Sequence, residues 1–177
     1  MKLNRVIAGI VTIAISVAVV FYLTLQGQQE SKQKQEEVMA EIFSHLTNGN
    51  GELAEPLARE YIKKNTDDPN GFIALFTALA LKDEVNGINF NVQEAEEIYS
   101  NVEKLSPNNL KFILAMARLY ADKGMCNKSS ELFLKVYFQN KEVIHYLNQD
   151  DGLQPFLSCL REEGDDATAY QIEKGVE

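Results

Sequence analysis

The sequence predicts an all-α chain: a single N-terminal transmembrane helix, then an α-solenoid of three helical hairpins closed by an irregular C-terminal capping unit. Three observations support this reading. Small and aromatic residues recur at intervals of 34 and 38, so that Ala95, Tyr99 and Val102 are matched downstream by Ser129, Phe133 and Val136 and upstream, in part, by Leu57 and Tyr61. No stretch of useful length alternates apolar and polar residues with the two-residue period of a half-buried strand. Residues 6–25 carry no charge over twenty positions.

As a helix, segment 6–25 extends ~30 Å at ~1.5 Å per residue, which matches a bilayer's hydrocarbon core. Its Thr12, Ser16 and Thr24 do not gather into the polar face that a buried core helix would show. A cleaved signal peptide is the other reading of such a start. However, the apolar run exceeds the usual ~7–15 residues, and "TLQGQQ" after it holds no small-x-small cleavage site. The expectation is a retained anchor. Lys2, Arg5 and the terminal amine precede the span, whereas Lys32 and Lys34 follow at a distance among Glu30, Glu36 and Glu37. The positive-inside bias then puts residues 1–5 in the cytoplasm and the bulk of the chain on the other side, periplasmic or lumenal. Residues 26–35 are rich in helix formers and read as a polar stalk running into the first hairpin.

Three helix–turn–helix units are expected over 36–69, 70–107 and 108–141. In the first, Pro56 falls in the opening turn of its helix, where no backbone donor is lost. Pro69 and Pro107, 38 apart, close the first two units. Proline forbids continuation, and the asparagine after each can cap the next helix. The second unit has an elongated turn, "KDEVNGINFN", followed by "NVQE", where Asn91 caps and Glu94 reaches back in a capping box. The third is the most regular. Its first helix ends "AMARLYADKG", with Gly124 free to take the left-handed backbone that terminates a helix. Small residues such as Ala95 and Ser129 let paired helices approach, and the aromatic four positions on lies one turn away on the same face. A single hairpin cannot bury its apolar face, so stacked copies are the stable solution. Residues 142–177 form the cap and tail: "EVIHYLNQDDGLQPFLSCLREEG" reads as an imperfect pair with Pro155 near the start of its second helix, and "DDATAYQIEKGVE" as a short polar helix.

The third unit closely resembles the tetratricopeptide repeat (TPR) family. With Leu110 as position one, Ala117, Tyr120 and Gly124 fall at eight, eleven and fifteen, and Ser129, Phe133 and Val136 at twenty, twenty-four and twenty-seven. The family favours small, aromatic, glycine, small, aromatic and small-apolar residues there. The second unit keeps Ala95, Tyr99, Val102 and Pro107, while the first departs, with Lys64 in place of a small apolar residue. The likeness covers about residues 36–141 and implies a protein–protein interaction module whose first helices line a concave face. Positions two, five and nine are Met39, Ile42 and Leu46, then Phe72, Leu75 and Leu79, then Lys111, Leu114 and Arg118. The expected contacts to a protein or peptide partner are therefore Phe72, Leu75, Leu79, Lys111, Leu114 and Arg118, an apolar floor with a basic end. The other reading of the apolar members is inter-repeat core. The lysine–arginine pattern with which some members clamp a C-terminal carboxylate is incomplete, since Ala115 stands where the arginine belongs. The architecture is also similar to the repeat subunits of bacterial cytochrome c haem-ligation (cytochrome c biogenesis) systems, and to membrane-anchored repeat proteins that work with periplasmic chaperones at the export channel. The implied function is a membrane-tethered scaffold that captures a partner beside the bilayer. The alternative is a structural subunit of a larger membrane complex whose concave face is permanently occupied.

Chemistry points the same way. There is no phosphate loop, dinucleotide fingerprint, nucleophile elbow or zinc signature. The two histidines, His45 and His145, stand a hundred residues apart without a second ligand at metal-site spacing. No catalytic residue, metal or cofactor is expected, and the chain does not read as an enzyme. Beyond residue 25 it has 15 bases against 26 acids, or −11, with no Lys/Arg cluster, which argues against nucleic acid. Cys126 and Cys159 lie 33 apart, nearly one repeat. An oxidising compartment would permit a bridge. Equivalent positions of stacked helices stand ~9–10 Å apart, however, so two thiols are expected unless the last unit bends inward. "NKS" at Asn127 matches a glycosylation sequon.

Overall fold

The computed structural model describes residues 26, 29–86, 90–143, 147 and 152–175. These form helices without strands: α1 (29–47), α2 (Gly51–Lys64), α3 (Pro69–Asn86), α4 (Val92–Leu105), α5 (Leu110–Asp122), α6 (Cys126–Gln139), α7 (Gln154–Glu162) and α8 (Asp166–Lys174). The expected anchor over 6–25 lies outside the described residues, and among those residues no helix is long and apolar enough to cross a membrane. Residues 29–35 of the stretch read as a stalk and the first helix of the first unit are one continuous helix, α1.

Links at 48–50, 65–68, 106–109, 123–125 and 163–165 are short, so each helix folds back on its neighbour in the chain. Three of the turns share one geometry. Gly49, Gly124 and Gly164 take φ of +72°, +67° and +81°. At the middle one, the amide of Gly124 donates to the Ala121 carbonyl at 2.9 Å and that of Met125 to Tyr120 at 2.8 Å. The amides of Gly49 and Asn50, and of Gly164 and Asp165, repeat this pattern onto Leu46 and His45, and onto Arg161 and Leu160. This is the Schellman arrangement, in which a left-handed residue just past the helix end satisfies carbonyls that would otherwise be orphaned.

Two apolar clusters form the core. The first spans α1 to α5 and includes Ile42, Ala54, Ala58, Tyr61, Ala74, Leu75, Phe76, Phe90, Ala95, Ile98, Val102, Phe112 and Met116. Its aromatic centre is Phe76, whose ring meets Phe90 at 5.2 Å and Phe112 at 5.0 Å, both edge-on. The second joins Ala117 and Phe133 to Leu153, Phe156, Leu157 and Leu160, and to Ala169 and Ile172 of α8. The small recurring residues Ala95 and Ser129 are fully buried, as is Phe133. Polar stitches join the second helices of successive pairs: Arg59 to Glu94 at 2.5 Å, Lys128 to Glu96 at 2.6 Å and Lys135 to Glu103 at 3.2 Å.

Several local expectations are corrected. Pro56 sits in the second turn of α2, because the Gly49 turn starts that helix at Gly51. Its missing N–H would have faced Glu52, a residue exposed to water. Pro69 opens α3 instead of closing the first unit. The caps are Asp68, whose Oδ1 accepts from the Asn70 amide at 2.9 Å, and Asn109, whose Oδ1 accepts from Phe112 at 3.1 Å. Asn91 does cap α4, through the Gln93 amide, but Glu94 turns away to Arg59 because an ionic partner on the neighbouring pair outcompetes a backbone amide. At the C-terminus, Pro155 lies in the first turn of α7 as expected, the helix expected before it falls largely outside the described residues, and α7 also meets α8 across the Gly164 turn. Nor is α8 polar all round, since Ala169 and Ile172 are fully buried.

The cysteines pair: Cys126 and Cys159 form a disulfide with Cα atoms 4.7 Å apart. The expected separation assumed equivalent positions in parallel-stacked helices. In fact Cys126 begins α6 while Cys159 lies in the second turn of α7, which packs across both α5 and α6. Closing a loop of this separation, 33 residues, stabilises the fold by ~3–4 kcal/mol in the chain-entropy treatment.

Candidate partner-binding cleft

The six residues expected to meet a partner do not share one surface. Leu75, 5% exposed, is part of the first core cluster. Phe72 and Leu79 are half-buried against that cluster, and Leu114 is half-buried against the second. Lys111 and Arg118 are exposed. For Leu75 the inter-repeat core reading therefore holds, and Ile42 on α1 is buried completely.

What opens between the first helices is a cleft of ≈ 620 Å³ between α3 and α5. Phe76, Ala80 and Asp83 line it from α3, and Ala115, Arg118, Leu119 and Asp122 from α5. Phe90, from the link before α4, closes one wall. Of the six expected residues, Arg118 alone is among these. The rest of the wall follows from helix geometry: 76, 80 and 83 share a face at spacings of four and three, as do 111, 115, 118 and 122. The positions carried over at 75 and 114 precede 76 and 115 by one residue, a rotation of ~100° about each helix. That rotation takes a side chain from cleft to core.

The floor is apolar and tightly held. Phe76, Phe90 and Leu119 are each at least nine-tenths buried, and small Ala80 and Ala115 leave the open volume above them. Charge is confined to the rim and is nearly balanced. Arg118 donates through Nε to Asp122 at 2.9 Å, and Lys123 holds Asp83 at 3.0 Å. The first pair is half-exposed, so it contributes little to stability and exchanges readily with another carboxylate. The expected basic end is thus an arginine already shared with an acid of its own helix. Phe90 was not legible as a wall residue: it belongs to the elongated turn, where no periodicity gives a direction.

A second depression of ≈ 490 Å³ lies beside α1, lined by Met39, Ala40, Phe43 and Glu36 together with Tyr61, Asp68 and Asn70. Phe43 is 44% exposed there, a large apolar side chain on the same series of first helices. Tyr61 donates to Asp68 at 2.6 Å, and burial followed by that hydrogen bond pushes its hydroxyl pKa up to about 12, so it remains a donor. Among the described residues no group of three or more His, Cys, Asp or Glu could hold a metal. No protein-family model matches this chain, and no curated protein matches it significantly.

Proposed function

We propose that the chain is a membrane-tethered, TPR-like adaptor that holds a segment of a protein partner in the cleft between α3 and α5. The observation carrying this reading is the cleft itself, an apolar floor with a weakly engaged arginine on its rim, set between the first helices of successive pairs. A peptide side chain of moderate size fits over Ala80 and Ala115, with an acidic group drawn to Arg118. The recurrent pairs and their shared glycine turn support the repeat assignment. The charge-free segment 6–25 supports tethering, and the disulfide favours an oxidising compartment outside the cytoplasm. An apolar floor without nucleophile or acid–base pair suits capture, not catalysis.

Full-length protein solubilised in detergent tests this directly. Arg118→Glu and Ala115→Trp, the first reversing the rim charge and the second filling the cleft, should leave helicity intact and abolish co-purification of the partner. Capture retained by both folded variants would move the binding surface elsewhere. A partner held stoichiometrically through high salt by the native chain would instead mark a structural subunit of a larger complex.

A further inference from the structure

Helix α6, on which α7 packs, carries a conflict found nowhere else among the described residues. One face of α6 carries Cys126, Ser130 and Phe133, with Ser129 beside them. Two of these meet α7: Cys126 bonds Cys159, and Phe133 stacks on Phe156 with ring centroids 4.6 Å apart. Along α6, Ser129 and Ser130 fall between Cys126 and Phe133, and their hydroxyls are buried and find no hydrogen-bond partner among the described residues. Buried polar groups are almost always paired, because leaving one dry forfeits its hydration without compensation. Two dry hydroxyls thus sit on the helix against which α7 packs and offset part of the apolar gain of burying it.

We propose that the Cys126–Cys159 bridge is a redox latch that keeps the α7–α8 pair docked on α5 and α6. A dithiol opens it by exchange. One reductant thiolate attacks a bridge sulfur, and the Sγ–Sγ bond breaks as a mixed disulfide forms. The second reductant thiol then displaces the protein sulfur. Two electrons end on Cys126 and Cys159, each sulfur takes a proton from solvent, and the reductant leaves as its own disulfide. With the latch open, the buried hydroxyls favour water, and the pair undocks as a unit. Undocking uncovers Ala117 and Phe133 and removes part of the packing around Leu114, so the end of the third hairpin becomes an apolar surface. This inference stands apart from the adaptor reading and does not depend on which partner is captured.

Hydrogen exchange on the full-length chain in detergent, with and without dithiothreitol, tests it. Reduction should accelerate exchange in α7 and α8 at least ~10-fold while α2 to α5 keep their protection. Ser129→Ala combined with Ser130→Ala, which removes the dry hydroxyls, should restore protection in the reduced protein. Cys126→Ser with Cys159→Ser should reproduce the reduced state permanently. Unchanged protection on reduction, loss of protection throughout the chain, or release that the two alanines fail to reverse would each overturn the latch.

Discussion

A rotation of one position along a helix decides which residues of this fold border the cleft. Leu75 and Phe76 are neighbours in sequence and equally buried in the first core cluster, yet only Phe76 also forms the floor of the cleft. A carboxylate at Leu75 would be buried without a partner, so Leu75→Asp should unfold the domain or cost at least ~3 kcal/mol by urea titration. Arg118→Glu, at an exposed position, should leave the same midpoint nearly unchanged. Equal effects would show that the cleft and core faces have been interchanged. Gly124 offers a second case. At φ +67° nothing lies within 4 Å of where a side chain would begin, so backbone conformation alone limits substitution. Gly124→Val should therefore cost ~1–2 kcal/mol, the penalty of a left-handed L-residue, in that same titration.

Between elements, ionic contacts supply what the narrow helix faces do not. Glu96 on α4 accepts from Lys128 of α6 at 2.6 Å and from the Tyr120 hydroxyl of α5 at 2.9 Å, so one carboxylate ties three helices. Those two hydrogen bonds, Lys128 first, hold its pKa below the ordinary 4.5. Burial tends to raise the pKa of Glu55, but hydrogen bonds from Lys82 and Arg59 outweigh it and again lower the value below 4.5. A depressed carboxylate binds fewer protons in the folded state than in the unfolded one. Its contribution is therefore complete above the unfolded pKa and is lost as pH falls through the folded pKa. The melting temperature should hold steady from neutral pH to about pH 5 and decline below about pH 4.5. Glu55→Gln should shallow that decline. A melting curve insensitive to acid in the native chain would mean these carboxylates are not paired in solution.

At the scale of the whole molecule, α1 runs from residue 29, a few positions beyond the charge-free segment 6–25, into the first core cluster, where Ile42 is fully buried. The Gln35 amide donates to Asn65 at the end of α2, so the base of this helix is fastened to the first pair. Tethering at 6–25 would then hold the array close to the bilayer instead of on a loose leash. With the N-terminus inside, protease added outside intact cells or spheroplasts should degrade residues beyond 35. Protection there, with digestion only after lysis, would reverse the topology. The opposite end is fastened by covalent chemistry, and the two ends differ accordingly in what would release them.

Much of the helical order was legible in the sequence because it depends on local chemistry. The small–aromatic recurrence, the stop at Gly124 and the cap at Asn91 each act within one or two turns, and the structure realises each at the expected residue. The 3.6-residue period also assigns residues to faces, but only once the rotation of each helix is known. That rotation is set by neighbours, which is why Ala80 and Ala115 surfaced as cleft residues while Leu75 turned away from the cleft. Pairing of Cys126 with Cys159 likewise required the packing of α7 across α5 and α6, contacts made between segments far apart in the chain. Periodicity and turn chemistry are properties of contiguous residues and were determined by the sequence alone. Helix rotation, the cleft and the disulfide arise from the simultaneous burial of several faces, and only the tertiary structure decides them.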